Sequence, residues 1–149
     1  MTFADQLSDI HPDLRVDTSP SVLESHAHDW SELPATSAGA VVFPGSVDAV
    51  RALVEVAVAR RLPLVPSGGR TGLSGGAVAG PREVVVSFDR MRRILGFNPV
   101  ERTVAVEAGV VTRAVQDFAR EQGLYYPVSF ASEGSSQVGG NIATNAGGI

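Results

Sequence analysis

Eleven of the sixteen glycines in this chain of 149 residues fall in two short windows. Six lie between Ser67 and Gly80, and five between Gly134 and Gly148. A residue without Cβ lets the backbone turn sharply or approach another group closely, so such clusters mark places where the fold demands one or the other. Any architecture for this sequence must supply two such places. The remaining residues must build the scaffold that carries them.

The residue types that are missing narrow the chemistry. All 12 basic residues are Arg, and the chain has neither Lys nor Cys. Schiff-base chemistry and the phosphate-gripping lysine of a P-loop are thereby excluded. Disulfide frameworks, thiolate metal sites and cysteine nucleophiles are excluded as well. A net charge of −4 without runs of like charge argues against nucleic-acid binding as the main activity. With 44% hydrophobic and 19% charged residues the chain reads as folded, one ordinary domain in length. The opening residues show no basic segment followed by an apolar one, and no apolar stretch nears the roughly 20 residues of a membrane span. The expectation is a soluble cytoplasmic chain.

Residues 1–37 read as an N-terminal helix or turn and an extended lead-in, punctuated by Pro12, Pro20 and Pro34. His26, His28 and Asp29 stand close together there; a solvated loop is favoured over a metal site, because His11 is the one other histidine. From residue 40 the pattern sharpens. Residues 40–43 form a short apolar run that fits a buried strand. Ser46 then caps a helix with Asp48 in its first turn and Arg60 and Arg61 in its last, and Pro63 ends it. Residues 64–66 form a strand returning parallel to the first. Strands are expected again over 83–88, 94–98 and 103–107, the last two flanking an Asn98-Pro99 turn. Thr112 is read as the cap of a second helix running to Gln122, with Gly123 as its stop and an extended segment over 125–130. The chain closes in the second glycine window as a loop, with no further element to pack on it. That ending suggests a piece of a longer protein, weakly folded in isolation.

The first window, Ser67-Gly68-Gly69-Arg70-Thr71-Gly72-Leu73-Ser74-Gly75-Gly76, lies between two strands. A P-loop would need Lys, and a dinucleotide fingerprint would need a helix immediately after the glycines, so both readings fail. What remains is a nest of inward-curled N–H groups that binds an anion without a helix. Ser67, Thr71 and Ser74 add hydroxyl donors and Arg70 adds a positive charge, which together suit a diphosphate. The bland alternative is a flexible hairpin loop. In the second window, Asn141, Thr144 and Asn145 offer the donors and acceptors needed to read the edge of a heteroaromatic ring. There the alternative is a cluster of Gly/Asn turns.

The first window resembles the first FAD-diphosphate loop of flavoproteins of the vanillyl-alcohol oxidase / p-cresol methylhydroxylase (PCMH) type. The second, Gly134-Ser135-Ser136-Gln137-Val138-Gly139-Gly140-Asn141-Ile142-Ala143-Thr144-Asn145-Ala146-Gly147-Gly148, resembles their second FAD loop. It is most similar to the branch that contains D-lactate, glycolate and D-2-hydroxyglutarate dehydrogenases. The resemblance implies an α+β, PCMH-type FAD-binding domain over 38–149 in which FAD lies between two subdomains, the first complete and the second truncated. It implies cofactor contacts from Ser67, Gly68, Gly69, Arg70, Thr71, Gly72 and Ser74. From the second window it implies Gly134, Ser135, Gly139, Gly140, Asn141, Thr144 and Asn145. Covalent members carry His where this chain has Arg70, which implies non-covalent FAD. The implied activity is oxidation of a D-2-hydroxy acid to the 2-oxo acid by hydride transfer to FAD. A quinone or an electron carrier would act as acceptor, with no metal site and no catalytic acid or base inside these residues. An alcohol or sugar oxidase of the same superfamily, or a non-catalytic nucleotide- or anion-binding module, are the alternatives.

Overall fold

The computed structural model describes residues 3–34 and 36–148. Its centre is a four-stranded sheet built from β1 (Leu14–Asp17), β2 (Ala40–Pro44), β4 (Val84–Ser87) and β3 (Leu64–Ser67), in that spatial order. β2, β4 and β3 run parallel, and β1 pairs antiparallel along the outer side of β2. β2 and β4 are buried along their whole length, as strands covered on both faces must be.

Alternation along these strands sorts their side chains into two cores. Ala40 and Val42 of β2, with Val84 and Val86 of β4, pack with Leu7 of α1 (Phe3–Ser8) and with Ala49 and Leu53 of α3 (Val47–Arg60). Val41, Phe43 and Val85 face the other way, onto Ala27, Ala38 and Ala79, with Val22 and Leu23 of α2 (Pro20–His26) beside them. Each of these buried valines contributes about 1.5–3 kcal/mol by leaving water. α3 starts as expected: Ser46 accepts a hydrogen bond from the Ala49 N–H at 3.2 Å. It ends with Arg61 in the left-handed conformation.

β3 runs parallel to β2, as expected, with β4 inserted between them. The lead-in joins the sheet, since β1 supplies its edge. Residues 27–33 pin the first glycine window: the Trp30 N–H donates to the Gly72 carbonyl at 2.9 Å and the Ala79 N–H to the Ala27 carbonyl at 3.1 Å. Asp29, expected in a solvated loop, is buried.

The second half is smaller. β5 (Ile94–Asn98) and β6 (Thr103–Val106) form an antiparallel hairpin, on which α4 (Thr112–Glu121) packs through an edge-to-face pair, Phe97 with Phe118. Thr112 does not cap α4. Val111 occupies that position, and the Thr112 hydroxyl is engaged with Ser136 instead. The second glycine window is likewise not a plain loop: residues 138–143 wind into a short helix, α5 (Val138–Ala143). Among the described residues no helix is long and apolar enough to cross a membrane.

Candidate cofactor site

β3 and β4 end level, with Ser67 paired to Ser87. In open parallel sheets, ligands gather beyond the carboxyl ends of the strands, where the connecting loops diverge. The first window leaves that edge directly from Ser67, and Asp89 follows Ser87 by two residues.

In the first window, the backbone N–H groups of residues 68–74 donate to no other described residue. Backbone donors always need a partner, so a run that the fold does not use is available to water or to a ligand. Arg70 sits at φ 57°, in the left-handed region that side-chain-bearing residues avoid. A left-handed residue within such a run is what curls successive N–H groups into an anion-binding concavity. The Arg70 guanidinium stays over the loop, with Nη1 donating to the Gly68 carbonyl at 3.3 Å. The Ser67 hydroxyl is buried and has no hydrogen-bond partner among the described residues. Free donors, one cation and a backbone without Cβ fit the diphosphate of FAD.

The second window meets the first, and the contact explains one glycine. A Cβ on Gly69 would run into the Ser135 carbonyl and lie 2.9 Å from Ser136 Cα. Gly68 faces the Gln137 side chain and Gly140. Here the backbone donors are spent internally. Ser135 and Ser136 donate to the Ser132 carbonyl, Val138 to Val110, Gly139 to Ala108, and Asn141 to Gln137. Asn141 is turned inward: its Nδ2 donates to Thr112 Oγ1 at 2.7 Å, and that hydroxyl is 2.8 Å from Ser136 Oγ. Gly139 packs on Ala108, where a Cβ would come to 2.8 Å from the Ala108 Cβ. Gly134 and Gly140 face open space. Thr144 and Asn145 lie at the exposed end of α5 and bond back to Gly140 and Ile142.

The structure therefore brings Gly68 and Gly69 against Ser135, Gln137 and Gly140, with Arg70 bonded to Gly68, while Ser74, Thr144 and Asn145 are exposed. A groove of about 360 Å³ between the hairpin and α4 is lined by none of the glycine-window residues.

Sequence reasoning missed Asp89 and Gln137. Asp89 Oδ1 accepts from Gln137 Nε2 at 2.8 Å and from Arg92 Nη2 at 2.5 Å, while its Oδ2 lies 3.9 Å from Arg70 Nη1. His26 Nε2 is 3.6 Å from the same Oδ2. His26, Arg92, Gln137 and Arg70 hold the Asp89 carboxyl far below the usual carboxylate range, against partial burial that would raise it. The available signal was position, since Asp89 follows the carboxyl end of a strand parallel to the one that feeds the first window. Glu133 is similarly lowered, by Gln116 first and against burial, with Arg113 and Ser129 adding to it. That carboxylate ties the start of the second window to α4.

A family model described as FAD binding domain matches residues 38–149. The chain is 52% identical over 145 residues to a D-2-hydroxyglutarate dehydrogenase of Stutzerimonas stutzeri, covering 97% of this chain and 31% of that protein. A D-2-hydroxyglutarate dehydrogenase of Xanthomonas citri pv. viticola is 53% identical over 138 residues, 93% of this chain and 29% of that protein. The chain thus spans less than a third of the length of either relative. Among solved structures, an alkyldihydroxyacetonephosphate synthase superposes with a TM-score of 0.83 at 20% identity, covering 97% of this chain and 28% of that one. With the free donors of the first window, its arginine and the docking of the second window already in place, these likenesses agree on one answer: this chain belongs to the FAD-binding domain family, and FAD is its cofactor.

Proposed function

We propose that this chain is the FAD-binding portion of a flavin-dependent dehydrogenase that oxidises a D-2-hydroxy acid to the 2-oxo acid, with D-2-hydroxyglutarate as the first substrate to test. The observation that carries the reading is the run of unused N–H donors over residues 68–74 beside Arg70. The choice of substrate rests on the activity named for the relatives at 52% and 53% identity.

In this reading the Ser67 to Gly72 backbone and the Ser74 hydroxyl bind the diphosphate, and Arg70 offsets its charge. Gly134, Ser135, Gly139, Gly140, Asn141, Thr144 and Asn145 form the wall on the flavin side. FAD, when bound, supplies the hydride acceptor; these residues orient it and exclude water. No acid or base for the hydroxyl proton is assigned within residues 1–149. FAD is held non-covalently, because Arg70 stands where a covalent attachment would need a nucleophilic side chain and the chain has no Cys. The domain runs over 38–149 on a lead-in of 1–37, the compartment is the cytoplasm, and a quinone or an electron carrier takes the electrons.

The test is the visible spectrum of the full-length protein before and after acid precipitation, followed by turnover with an artificial acceptor on D-2-hydroxyglutarate, D-lactate and glycolate. Flavin released to the supernatant, with reduction by one of these D-2-hydroxy acids, is the expected result. Flavin that stays in the pellet overturns the non-covalent assignment. A bound flavin that none of the three acids reduces overturns the substrate class.

A further inference from the structure

Asp89 touches every segment that builds the site. Its carboxylate reaches His26 at the end of α2, Arg70 in the first window, Arg92 before β5, and Gln137 at the start of the second window. Its side chain is 25% exposed, so Gln137 and Arg92, and not bulk water, meet much of its hydrogen-bonding need, with Arg70 and His26 just beyond hydrogen-bond distance.

The chemistry of the partners makes this more than packing. An ionised carboxylate only accepts, so Gln137 must present Nε2 to it. The Gln137 Oε1 is then left buried and unpartnered, 3.6 Å from the Cβ position of Gly68. On the other side, Asp89 attracts a guanidinium that already donates to the Gly68 carbonyl, which keeps the positive charge over the loop.

We propose that Asp89 is the positioning residue of the cofactor site: it locks the docking of the two glycine windows through Gln137 and holds Arg70 in place over the first. It touches neither substrate nor cofactor and acts through these two neighbours. The inference rests on reading the first window as the diphosphate cradle.

Asp89→Ala and Asp89→Asn in the full-length protein separate the two roles. Asn can still accept from Gln137 but loses the charge attraction for Arg70, whereas Ala loses both. The measurements are the FAD dissociation constant from fluorescence titration of the apoprotein, the visible spectrum of the bound flavin, and the apoprotein melting curve. Asp117→Asn, which breaks an exposed pair with Arg120 on α4, serves as the control. Loss of hydrogen bonds to a charged group predicts FAD binding weakened by about tenfold to a hundredfold in Asp89→Ala, with Asp89→Asn between it and wild type. Asp89→Glu should recover part of the loss. Arg70→Gln combined with Asp89→Asn should weaken binding by less than the product of the two single effects.

A lowered apoprotein melting temperature with unchanged FAD affinity and spectrum would overturn the proposal, leaving Asp89 with a purely structural role. Should Asp89→Ala not fold, Asp89→Asn decides on the same criteria. A wild-type protein that takes up no FAD would instead overturn the reading of the first window, an outcome that no comparison of Asp89 variants could mimic.

Discussion

The two glycine windows look alike in sequence and do opposite work in the structure. In the first, residues 68–74 keep their N–H groups unused and the chain stays irregular, stretched between two parallel strands. In the second, the N–H groups of Ser135, Ser136, Val138, Gly139 and Asn141 are taken up by carbonyls of the protein, residues 138–143 wind into a helix, and Asn141 points inward to Thr112. One window is built to offer donors, and the other to be a well-seated wall. Glycine richness thus reports close approach without reporting to what. Gly69 approaches the other window and Gly139 approaches Ala108, while Gly134 and Gly140 face open space.

The largest effect should come from the point where the windows touch. Gly69→Val drives a branched side chain into the Ser135 carbonyl, so the full-length protein should lose essentially all bound flavin. Its melting should also fall by the equivalent of about 1–3 kcal/mol for overpacking. Absorbance at the flavin band and a thermal melt check both; normal flavin content would mean that the windows do not need this docking.

Next in size, Arg70→Gln should weaken FAD binding about tenfold while leaving the apoprotein melt nearly unchanged, because the guanidinium serves the loop more than the core. Wild-type binding should weaken with added salt, and the variant should show a shallower salt dependence.

Asn141→Ala should show the reverse pattern. It removes a donor to the Thr112 hydroxyl, so a stability loss of about 1 kcal/mol is expected. The change in FAD affinity should be smaller than that of Arg70→Gln. If Asn141→Ala instead weakens FAD as strongly and leaves the melt alone, the contrast between offering and wall-forming windows collapses.

A pH comparison sharpens the role of the junction. The Asp89 carboxyl is depressed in the folded protein, so its stabilising contribution is present above the ordinary carboxylate range, near pH 4. That contribution disappears as pH falls below this range. The melting gap between wild type and Asp89→Asn should therefore be widest near neutral pH and narrow on acidification. A gap that does not vary with pH would show that ionisation of Asp89 is not what matters. The smallest effect is reserved for Thr144→Val at the exposed end of α5, where the hydroxyl only bonds back to the Gly140 carbonyl. A shift within about 0.5 kcal/mol is expected there.

Much of the scaffold was legible from periodicity and caps. The strands over 94–98 and near 40–44, the Ser46 cap and the end of the following helix all follow from local rules that operate within a few residues. The lead-in reads as extended in sequence, but its place in the sheet does not, because β1 (Leu14–Asp17) has a weak pattern of its own and becomes an edge strand by pairing with β2. Thr112 looked like a cap because a hydroxyl just before an amphipathic run usually is one; a partner 24 residues away claimed it. α5 (Val138–Ala143), with two glycines in its first half, violates helix propensity and forms where Val138 and Gly139 are bonded to Val110 and Ala108. The candidate site was legible as two windows, but Asp89 and Gln137 were not, since no local rule marks a residue that matters for what three other segments bring to it.

The amino-acid sequence by itself determined that two backbone segments must do without Cβ, that thiol and lysine chemistry is absent, and that one arginine sits within the first window. Those are properties of residue type and spacing, and they hold before any folding. Tertiary structure decided which donors stay free, because a hydrogen bond is used or spared according to what lies opposite it. It decided that Gly69 answers to Ser135, that Asn141 answers to Thr112, and that a carboxylate at the end of β4 gathers the lead-in and both windows around one point. Each of these depends on distances between residues far apart in the chain, set by the parallel pairing of β3 with β4 and by the two cores that flank the sheet.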